Sequence, residues 1–435
     1  MKRCSVRPST WVLAVAALAA CSGTTPQTTA APRNAPPATF AEAFARVTSH
    51  RVAAVDNRRI GHAAYWQAVA PSLENPVLRV TPIGHSMLGR ELRAVTFGTG
   101  PTRVLLWSQM HGDESTATMA LADIFAWLAD PATDPLRDRL ARALTITVVP
   151  MLNPDGAERF QRENAAGIDI NRDARRLATP EARALKALHD SITPAFGFNL
   201  HDQGARTRAG ARGPQAAIAL LAPAIDATGR YDAVRNTARR VAAVLAQALA
   251  DSLPGRVAKY DEGFNPRAFG DLMQTWGTST VLIESGALPG DPDKQRLRQM
   301  NGAALLVALD AIATSRGASG NPATYDALPP NTGGAVDVLV RGGMLVIPGQ
   351  PSFRADLALT YDDLLQHIGP RIREVGDLSA VIAIDTVDAT GRYLHPSAES
   401  LRVGPDGSWL PLGQLVRLTV RETADPVSRA VRTVP

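Results

Sequence analysis

The 435-residue sequence has little cysteine and no apolar run long enough to cross a bilayer. Its only cysteines are Cys4 and Cys21, so a disulfide framework is excluded. The apolar run at residues 11–20 is shorter than the roughly 20 residues that a membrane-spanning helix needs, which excludes a multi-span membrane protein. Hydrophobic residues form 45% and charged residues 20% of the chain, a balance that excludes collagen, coiled coil and wholesale disorder.

The first residues have the pattern of a bacterial export signal. A basic segment precedes the apolar run, which ends in Leu18-Ala19-Ala20-Cys21 and is followed by Ser22. That ending resembles a lipobox, where a lipoprotein is cleaved before a lipid-bearing cysteine; a standard signal peptide cut near Ala20 is the alternative. We predict a lipoprotein signal peptide at residues 1–20 and lipidation of Cys21. The chain would then be lipid-anchored at the periplasmic face of a bacterial envelope, and Ser22 favours the outer membrane.

The formal net charge of +5 carries little information about nucleic acids. Removing residues 1–20 takes away three positive charges and no negative ones, which leaves 43 Lys and Arg against 41 Asp and Glu. We therefore expect no nucleic-acid partner. Residues 21–39 are rich in Thr, Pro, Ala and Ser and cannot bury enough apolar surface to fold, so we predict a disordered tether there.

Strands alternate with helices from residue 40 to residue 315, which predicts an α/β domain whose sheet is covered on both faces. The predicted strands cover residues 92–97, 103–109, 144–149, 195–200 and 279–283, and the predicted helices cover 115–128, 180–192, 231–253 and 294–314. We expect the first two strands to be neighbours joined by a turn at residues 98–101. Past a linker after residue 315, residues 323–435 predict a small β-rich accessory domain without a catalytic cluster.

A candidate metal site begins in the α/β domain where the strand at residues 103–109 ends. His111 and Glu114 stand three residues apart, so both side chains can project to one side of a turn and bind one ion. His201 directly follows another apolar strand, at the edge where open α/β sheets gather ligands. Two histidines and one carboxylate leave the fourth position of a tetrahedral zinc ion for water, as a catalytic site requires.

A second polar cluster contains Arg162, Asn171 and Arg172, and Glu284 closes a later apolar strand. Such residues are commonly surface loops and solvated strand ends. Close to a metal they could act differently. Arg172 with Asn171 beside it can hold a carboxylate, and Arg162 can place a guanidinium near a polarised carbonyl oxygen. Glu284 can then serve as general base.

Together, these elements resemble the M14 family of zinc carboxypeptidases over about residues 90–286, including the Gly89-Arg90-x-Leu92 approach. The resemblance implies a mixed-sheet zinc carboxypeptidase-like fold and one Zn²⁺ per chain. It implies the following roles: zinc ligands His111, Glu114 and His201; base Glu284; carboxylate anchors Asn171 and Arg172; oxyanion stabiliser Arg162.

The resemblance also suggests where the terminal side chain of a substrate binds. Tyr260 is the candidate for the family's mobile pocket tyrosine, although a packed tyrosine is the usual outcome. We place the side-chain pocket between Asn265 and Trp276, where Phe269 and Met273 would make it apolar. Asp173 stands where many family members have Asn, and it could change the charge that the bound carboxylate meets.

We therefore predict a zinc-dependent metallocarboxypeptidase that hydrolyses the C-terminal peptide bond of peptides with a free C-terminal carboxylate. One alternative is an enzyme that cuts peptidoglycan stem peptides, with muropeptides as substrates. A second is an aspartoacylase-like deacylase of N-acyl amino acids, against which the segment Asn153-Pro154-Asp155-Gly156 favours the peptidase. A third is a non-catalytic lipoprotein that captures peptide C-termini.

Overall fold

A computed structural model describes Met1, residues 37–314 and residues 320–434. Cys21, residues 2–20 of the predicted signal peptide and most of the predicted tether lie outside the described residues. Among the described helices, none combines the length and apolarity that a bilayer crossing requires. The first helix begins at Phe40, where the Thr39 side chain accepts a hydrogen bond from the Glu42 N–H, and the Glu42 carboxylate accepts one from the Thr39 N–H.

The α/β part of the chain contains nine strands and nine helices within the described residues. The strands are β1 (Leu78–His85), β2 (Glu91–Phe97), β3 (Thr102–Ser108), β4 (Leu144–Val149), β5 (Phe196–Asp202), β6 (Arg208–Ala209), β7 (Ile218–Leu221), β8 (Val257–Lys259) and β9 (Ser279–Ser285). The helices are α1 (Phe40–Ser49), α2 (His62–Leu73), α3 (Thr116–Ala129), α4 (Pro135–Ala143), α5 (Pro154–Arg159), α6 (Pro180–Ile192), α7 (Ala233–Leu249), α8 (Phe269–Thr275) and α9 (Gln295–Ala313).

Eight of these strands form one mixed sheet in the order β1-β2-β4-β3-β5-β9-β7-β8. The strands β4, β3, β5 and β9 run parallel, whereas β1, β2 and β7 pair antiparallel with their neighbours β2, β4 and β9. This arrangement confirms the predicted mixed-sheet α/β fold. The predicted pairing of the first two strands is wrong, because β4 lies between β2 and β3.

The segment between β2 and β3 explains why these strands are not neighbours. Gly100 donates its N–H to the carbonyl of Leu144, and Thr99 donates to Ala141, so the segment packs on the start of β4 instead of closing a hairpin. A Cβ added to Gly100 would lie 2.0 Å from the carbonyl carbon of Ala143. Only glycine permits this approach of two backbones.

The sheet is buried on both faces, as alternating side chains of β3 show. Val104 and Leu106 belong to the larger core, which α1, α3, α7 and α9 help to form. Leu105 and Trp107 belong to a second core on the other face. Because successive side chains of a strand point to opposite faces, this division follows from the continuous apolar run of β3.

The C-terminal part forms a separate β sheet, as predicted, but the sheet starts later than residue 323. The described C-terminal part of the chain contains α10 (Pro322–Asp326), β10 (Asn331–Thr332), β11 (Val336–Leu345), β12 (Phe353–Asp363), β13 (Ile368–Gly376), β14 (Ala383–Asp388), β15 (Tyr393–Pro396), β16 (Arg402–Gly404), β17 (Gly407–Trp409), β18 (Leu418–Arg421) and β19 (Ala430–Val434). Tyr325 of α10 is fully buried in the larger α/β core, and β10 pairs with β6. The sheet with its own apolar core begins at β11.

Candidate functional site

The three predicted metal ligands converge at the carboxyl edge of the parallel strands. The Nδ1 atoms of His111 and His201 lie 3.1 Å apart, and each lies 2.7 Å from a carboxylate oxygen of Glu114. All three side chains are buried, and their ligand atoms lie within 4.8 Å of one another. A buried set of two imidazoles and one carboxylate has the donor chemistry of a catalytic zinc site.

A carboxylate behind His111 fixes which ring nitrogen faces the other ligands. The Nε2 atom of His111 lies 3.0 Å from Oδ1 of Asp169, so a proton on Nε2 is held there by a hydrogen bond. The lone pair then lies on Nδ1, on the side of Glu114 and His201. This carboxylate–histidine arrangement accompanies metal-ligating histidines, and with it the residues fit a zinc ion. Sequence reasoning assigned no role to Asp169, although it stands two residues before the Asn171-Arg172 pair.

The loop that carries His111 is positioned by tight local packing. Gln109 has a left-handed backbone with φ of 49°, and its side chain donates to the carbonyl of Gly112 at 2.9 Å. A Cβ added to Gly112 would lie 2.0 Å from the carbonyl carbon of Gly156, so this loop touches α5 backbone to backbone. Asn153 caps α5 and donates to the carbonyls of Met110 and Arg162. The segment at 153–156 therefore joins the His111 loop to Arg162.

Mutual electrostatics shift the pKa values of the ligands. Burial opposes the charge of His111, but the carboxylates of Glu114 and Asp169 outweigh it and raise the pKa of His111 to about 9. Burial also opposes the charge of Glu114, yet the two histidines hold its pKa well below the usual range. A bound cation replaces the proton that the histidines share with Glu114, because metal ligands must be deprotonated.

Glu284 lies beside His201, because their strands pair in register at these two residues. The side chain is buried, and both burial and the nearby Glu114 carboxylate raise its pKa well above the usual range. Tyr260 lines a cleft that also contains the metal-ligand triad and Glu284. The charge of Glu284 together with burial raises the pKa of Tyr260 to about 12. Tyr260 is thus a neutral phenol that can donate a hydrogen bond into the cleft.

The three remaining predicted residues line the same cleft, which has a volume of about 750 Å³. Arg162 is anchored through Nε and Nη2 on Asp169, and its Nη1 lies 3.3 Å from Glu114. Arg172 donates through Nη1 to the carbonyl of Asn171. The Asn171 side chain accepts the N–H of Phe269, so α8 and the Asn171-Arg172 pair form one wall.

The expectation that Phe269 and Met273 line the side-chain pocket is wrong, although other residues of the segment from Asn265 to Trp276 do line the cleft. Phe269 and Met273 are fully buried in the second core and do not line the cleft, because helix α8 turns them toward the sheet. The opposite face of the helix presents Gly270 and Asp271 to the cleft. Asp271 thus adds an acidic group to a lining that also includes Leu221, Pro223 and Leu282, and burial raises the pKa of Asp271 to about 6.

Asp173 does not add an unpaired charge to the site. Its Oδ2 accepts hydrogen bonds from the backbone N–H and the hydroxyl of Thr179, and its Oδ1 accepts the N–H of Ala178. The carboxylate therefore fixes the start of α6, where Thr179 is the N-cap.

A buried ion pair that sequence reasoning missed joins the ends of β5 and β9. The Lys294 Nζ lies 2.9 Å from Oδ2 of Asp202 and 3.0 Å from the carbonyl of Ser285. Asp202 directly follows His201, and Ser285 directly follows Glu284, so Lys294 holds the ends of both strands. The sequence gave no signal for this ion pair, because Lys294 resembles an ordinary residue at the start of a helix.

Comparison with known proteins identifies the segment that carries most of these residues. The family model described as zinc carboxypeptidase of the peptidase M14 family matches residues 63–208. "Probable carboxypeptidase 2" of Arthroderma benhamiae is 32% identical over 100 residues, which cover 23% of this chain and 19% of that protein. "Carboxypeptidase SOL1" of Arabidopsis thaliana is 29% identical over 104 residues, which cover 22% of this chain and 21% of that protein.

Among solved structures, a metallo-carboxypeptidase from Burkholderia cenocepacia aligns with a TM-score of 0.47 at 22% identity, over 59% of this chain and 69% of that one. The chain spans about a fifth of the length of the curated relatives that it matches. The matched segment includes the metal ligands, Arg162, Asn171 and Arg172, whereas Glu284 lies beyond it. The segment at residues 63–208 is therefore similar to the zinc carboxypeptidases of the M14 family.

Proposed function

We propose that this chain is a metallocarboxypeptidase that removes the C-terminal residue from peptides with a free carboxylate. The observation that carries the proposal is one cleft that holds a metal-ligand triad, a buried glutamate and an arginine pair. The family match supports peptidase chemistry for the segment that contains the triad. The cleft volume of about 750 Å³ leaves room for an extended peptide end.

The metal would be held by His111, Glu114 and His201. Zinc in this position would supply Lewis-acid chemistry, by polarising the scissile carbonyl and lowering the pKa of a water molecule. Asp169 keeps the His111 ring in its ligand orientation. Arg162 lies beside the triad, and its Nη1 atom is not held by Asp169. Nη1 can therefore donate a hydrogen bond to the oxygen of the scissile carbonyl as negative charge develops there.

Glu284 would transfer a proton from the attacking water to the leaving amine. Its carboxylate is buried beside His201 and can accept a proton from the attacking water at Oε, then give it to the leaving amine. In the protein without metal, burial and the Glu114 charge favour the protonated form of Glu284. A cation held by the triad would favour the ionised form, which is the form that a general base requires.

The wall opposite this reaction centre would hold the substrate's C-terminal residue. Arg172 can pair with the terminal carboxylate, and the Asn171 amide beside it is fixed by the backbone of Phe269. Asp271 adds a carboxylate to the pocket, so a terminal side chain with hydrogen-bond donors meets a suitable partner there. A substrate panel should therefore include terminal Lys and Arg beside terminal Leu and Phe.

The first experiment compares free-acid peptides with the corresponding C-terminal amides, using zinc-loaded protein that starts near Thr39. We expect loss of one residue from the acids alone, with products identified by mass spectrometry, and no turnover after chelation. Arg172→Ala should lower kcat/KM for the free acids by about 10²-fold, because it removes a charge-assisted contact of about 2–3 kcal/mol. Arg175→Ala, a change at a nearby arginine that does not line the cleft, is the matched control.

The same panel separates the alternatives when it includes N-acyl amino acids and muropeptides. Cleavage confined to stem peptides would identify an enzyme of the cell wall, and release of acyl groups would identify a deacylase. Zinc binding without cleavage of any substrate would identify a peptide-binding lipoprotein. Equal cleavage of free acids and amides would contradict the role proposed for Arg172.

We also propose that Cys21 carries a lipid that anchors the protein to the bacterial envelope. The support is the sequence alone: a basic segment, a short apolar run and the lipobox-like ending at Cys21. In cells fed a labelled fatty acid, we expect label on the wild-type protein and none on Cys21→Ser. Cys4→Ser, which alters the segment before the cleavage site, should be labelled normally. Label on Cys21→Ser would show that the lipid is elsewhere.

A further inference from the structure

The C-terminal β domain reaches the cleft that contains the metal ligands. Two residues from this part of the chain, Asn331 of β10 and Leu365 of the β12–β13 turn, lie among the residues that line it. Asn331 donates to the side chain of Gln203, two residues after His201. The β domain therefore contributes surface to the same cavity as the triad.

Leu365 is turned away from the core of its own domain. Its neighbour Leu364 packs against that core, whereas Leu365 is half-buried and faces the cleft. The turn that carries Leu365 is fixed, because the Asp363 side chain accepts the backbone N–H groups of Leu365 and Gln366 at 2.9 and 3.1 Å. An apolar side chain is thus held at the edge of a polar cleft by a capped turn.

The buried carboxylate of Asp337 connects the hairpin formed by β12 and β13 to the loop after His201. Arg206 donates through Nε and Nη2 to the two oxygens of Asp337, at 2.7 and 2.8 Å, and through Nη2 to the carbonyl of Tyr361. Asp337 also accepts the N–H of Tyr361. The Asp337 side chain is fully buried, whereas the Arg206 side chain is 42% exposed, so Arg206 reaches from the surface to a buried carboxylate.

A second set of contacts ties the start of the β domain to the segment before Tyr260. Lys259 donates its N–H to the carbonyl of Pro329, and Gly210 donates to the carbonyl of Pro330. Residues 329–332 therefore lie against both β6 and β8. These two contacts and the ion pair of Arg206 and Asp337 fix the β12–β13 hairpin relative to the cleft.

We propose that Leu365 is a specificity-determining residue, which contacts an apolar side chain of the bound peptide upstream of the scissile bond. This inference rests on the proposed peptidase function. The terminal residue lies against the wall formed by Arg172 and Asp271, so the rest of the peptide leaves past the triad. The loop at 203–207 follows His201, lines the cleft together with Leu365, and contacts the strand that leads to Leu365 through Arg206. A peptide that leaves on this side contacts Leu365, whereas a substrate of only two residues is too short to do so.

The test compares a long peptide, with apolar residues upstream of the scissile bond, with an N-formyl dipeptide that has the same two terminal residues. We expect Leu365→Ala to lower kcat/KM for the long peptide by about five- to tenfold and to leave the dipeptide unchanged, because truncating a half-buried leucine removes about 1 kcal/mol of contact. Leu365→Met, which keeps the apolar volume, should restore the wild-type ratio. Leu412→Ala is the matched control, since Leu412 is an exposed leucine of the same domain that does not line the cleft.

The ratio of the two kcat/KM values decides the inference. A ratio that does not change in Leu365→Ala, while the wild type cleaves both substrates, would overturn the role of Leu365 and leave the peptidase function intact. An equal loss on both substrates would also overturn it, because that result indicates a structural effect on the whole site. A wild-type protein that cleaves neither substrate would overturn the peptidase function and this inference with it.

Discussion

Glu284→Gln is expected to lower kcat by about 10²–10⁴-fold, the contribution of a positioned acid–base group. The amide keeps the size of the side chain and its place beside His201, but it cannot accept the proton of the attacking water. The metal ligands are unchanged, so zinc content should equal that of the wild type. Stopped assays on a free-acid peptide, with metal analysis of the same sample, measure both quantities.

A second buried glutamate provides the control for this variant. Glu181 is fully buried and burial raises its pKa, as at Glu284, but it accepts hydrogen bonds from Met87 and Asn164 and does not line the cleft. Glu181→Gln should retain near-normal kcat in the folded protein. Glu114→Gln should instead lose zinc and activity together, because it removes a ligand. Near-normal turnover in Glu284→Gln would show that another group transfers the proton.

The residues that sequence analysis predicted are those whose chemistry is visible in short motifs. His111 and Glu114 are three residues apart, and Asn171 and Arg172 are adjacent, so spacing alone groups each pair. His201 and Glu284 end apolar strands, and parallel strands bring such ends to one edge of a sheet. Apolar patterns located these strands and helices, and α6 (Pro180–Ile192) agrees with its prediction at both ends, whereas α7 (Ala233–Leu249) is shorter than the predicted helix at residues 231–253.

The features that were missed depend on contacts between residues far apart in the sequence. The position of β4 between β2 and β3 is set by the packing of Gly100 on Ala143, which no local pattern reveals. The apolar pocket was predicted from residue type, yet helix α8 turns Phe269 into the core and Asp271 into the cleft. The reach of the β domain to the cleft depends on contacts between distant residues, among them the salt bridge between Arg206 and Asp337, which are more than a hundred residues apart.

The buried pair of Arg298 and Asp123 leads to the largest expected change in stability. Arg298 of α9 is fully buried and donates through Nε to Asp123 of α3 at 2.7 Å. It also donates to the carbonyls of Val52 and Val55, so one guanidinium joins two helices to the segment after α1. This pair lies in the larger core and outside the cleft.

We expect Arg298→Met to lower the free energy of unfolding by about 3–5 kcal/mol, because removing one partner leaves a buried carboxylate unpaired. Urea unfolding followed by circular dichroism measures this change. The exposed pair of Arg371 and Asp362 provides the control, since Arg371→Met should change the midpoint far less. The double variant Asp123→Leu with Arg298→Met should recover part of the loss, because the unpaired charge is then absent.

The loss of unfolding free energy in Arg298→Met should also depend on pH, in a direction that the surroundings of Asp123 determine. Burial raises the pKa of Asp123 and Arg298 lowers it, so removing Arg298 raises this pKa further. A group whose pKa is higher in the folded than in the unfolded protein stabilises the fold below its unfolded pKa, and this contribution is lost as pH rises through the folded pKa. The deficit of Arg298→Met relative to wild type should therefore be smaller near pH 5 than near pH 8. A deficit that is the same at pH 5 and pH 8 would show that Asp123 stays ionised without its partner.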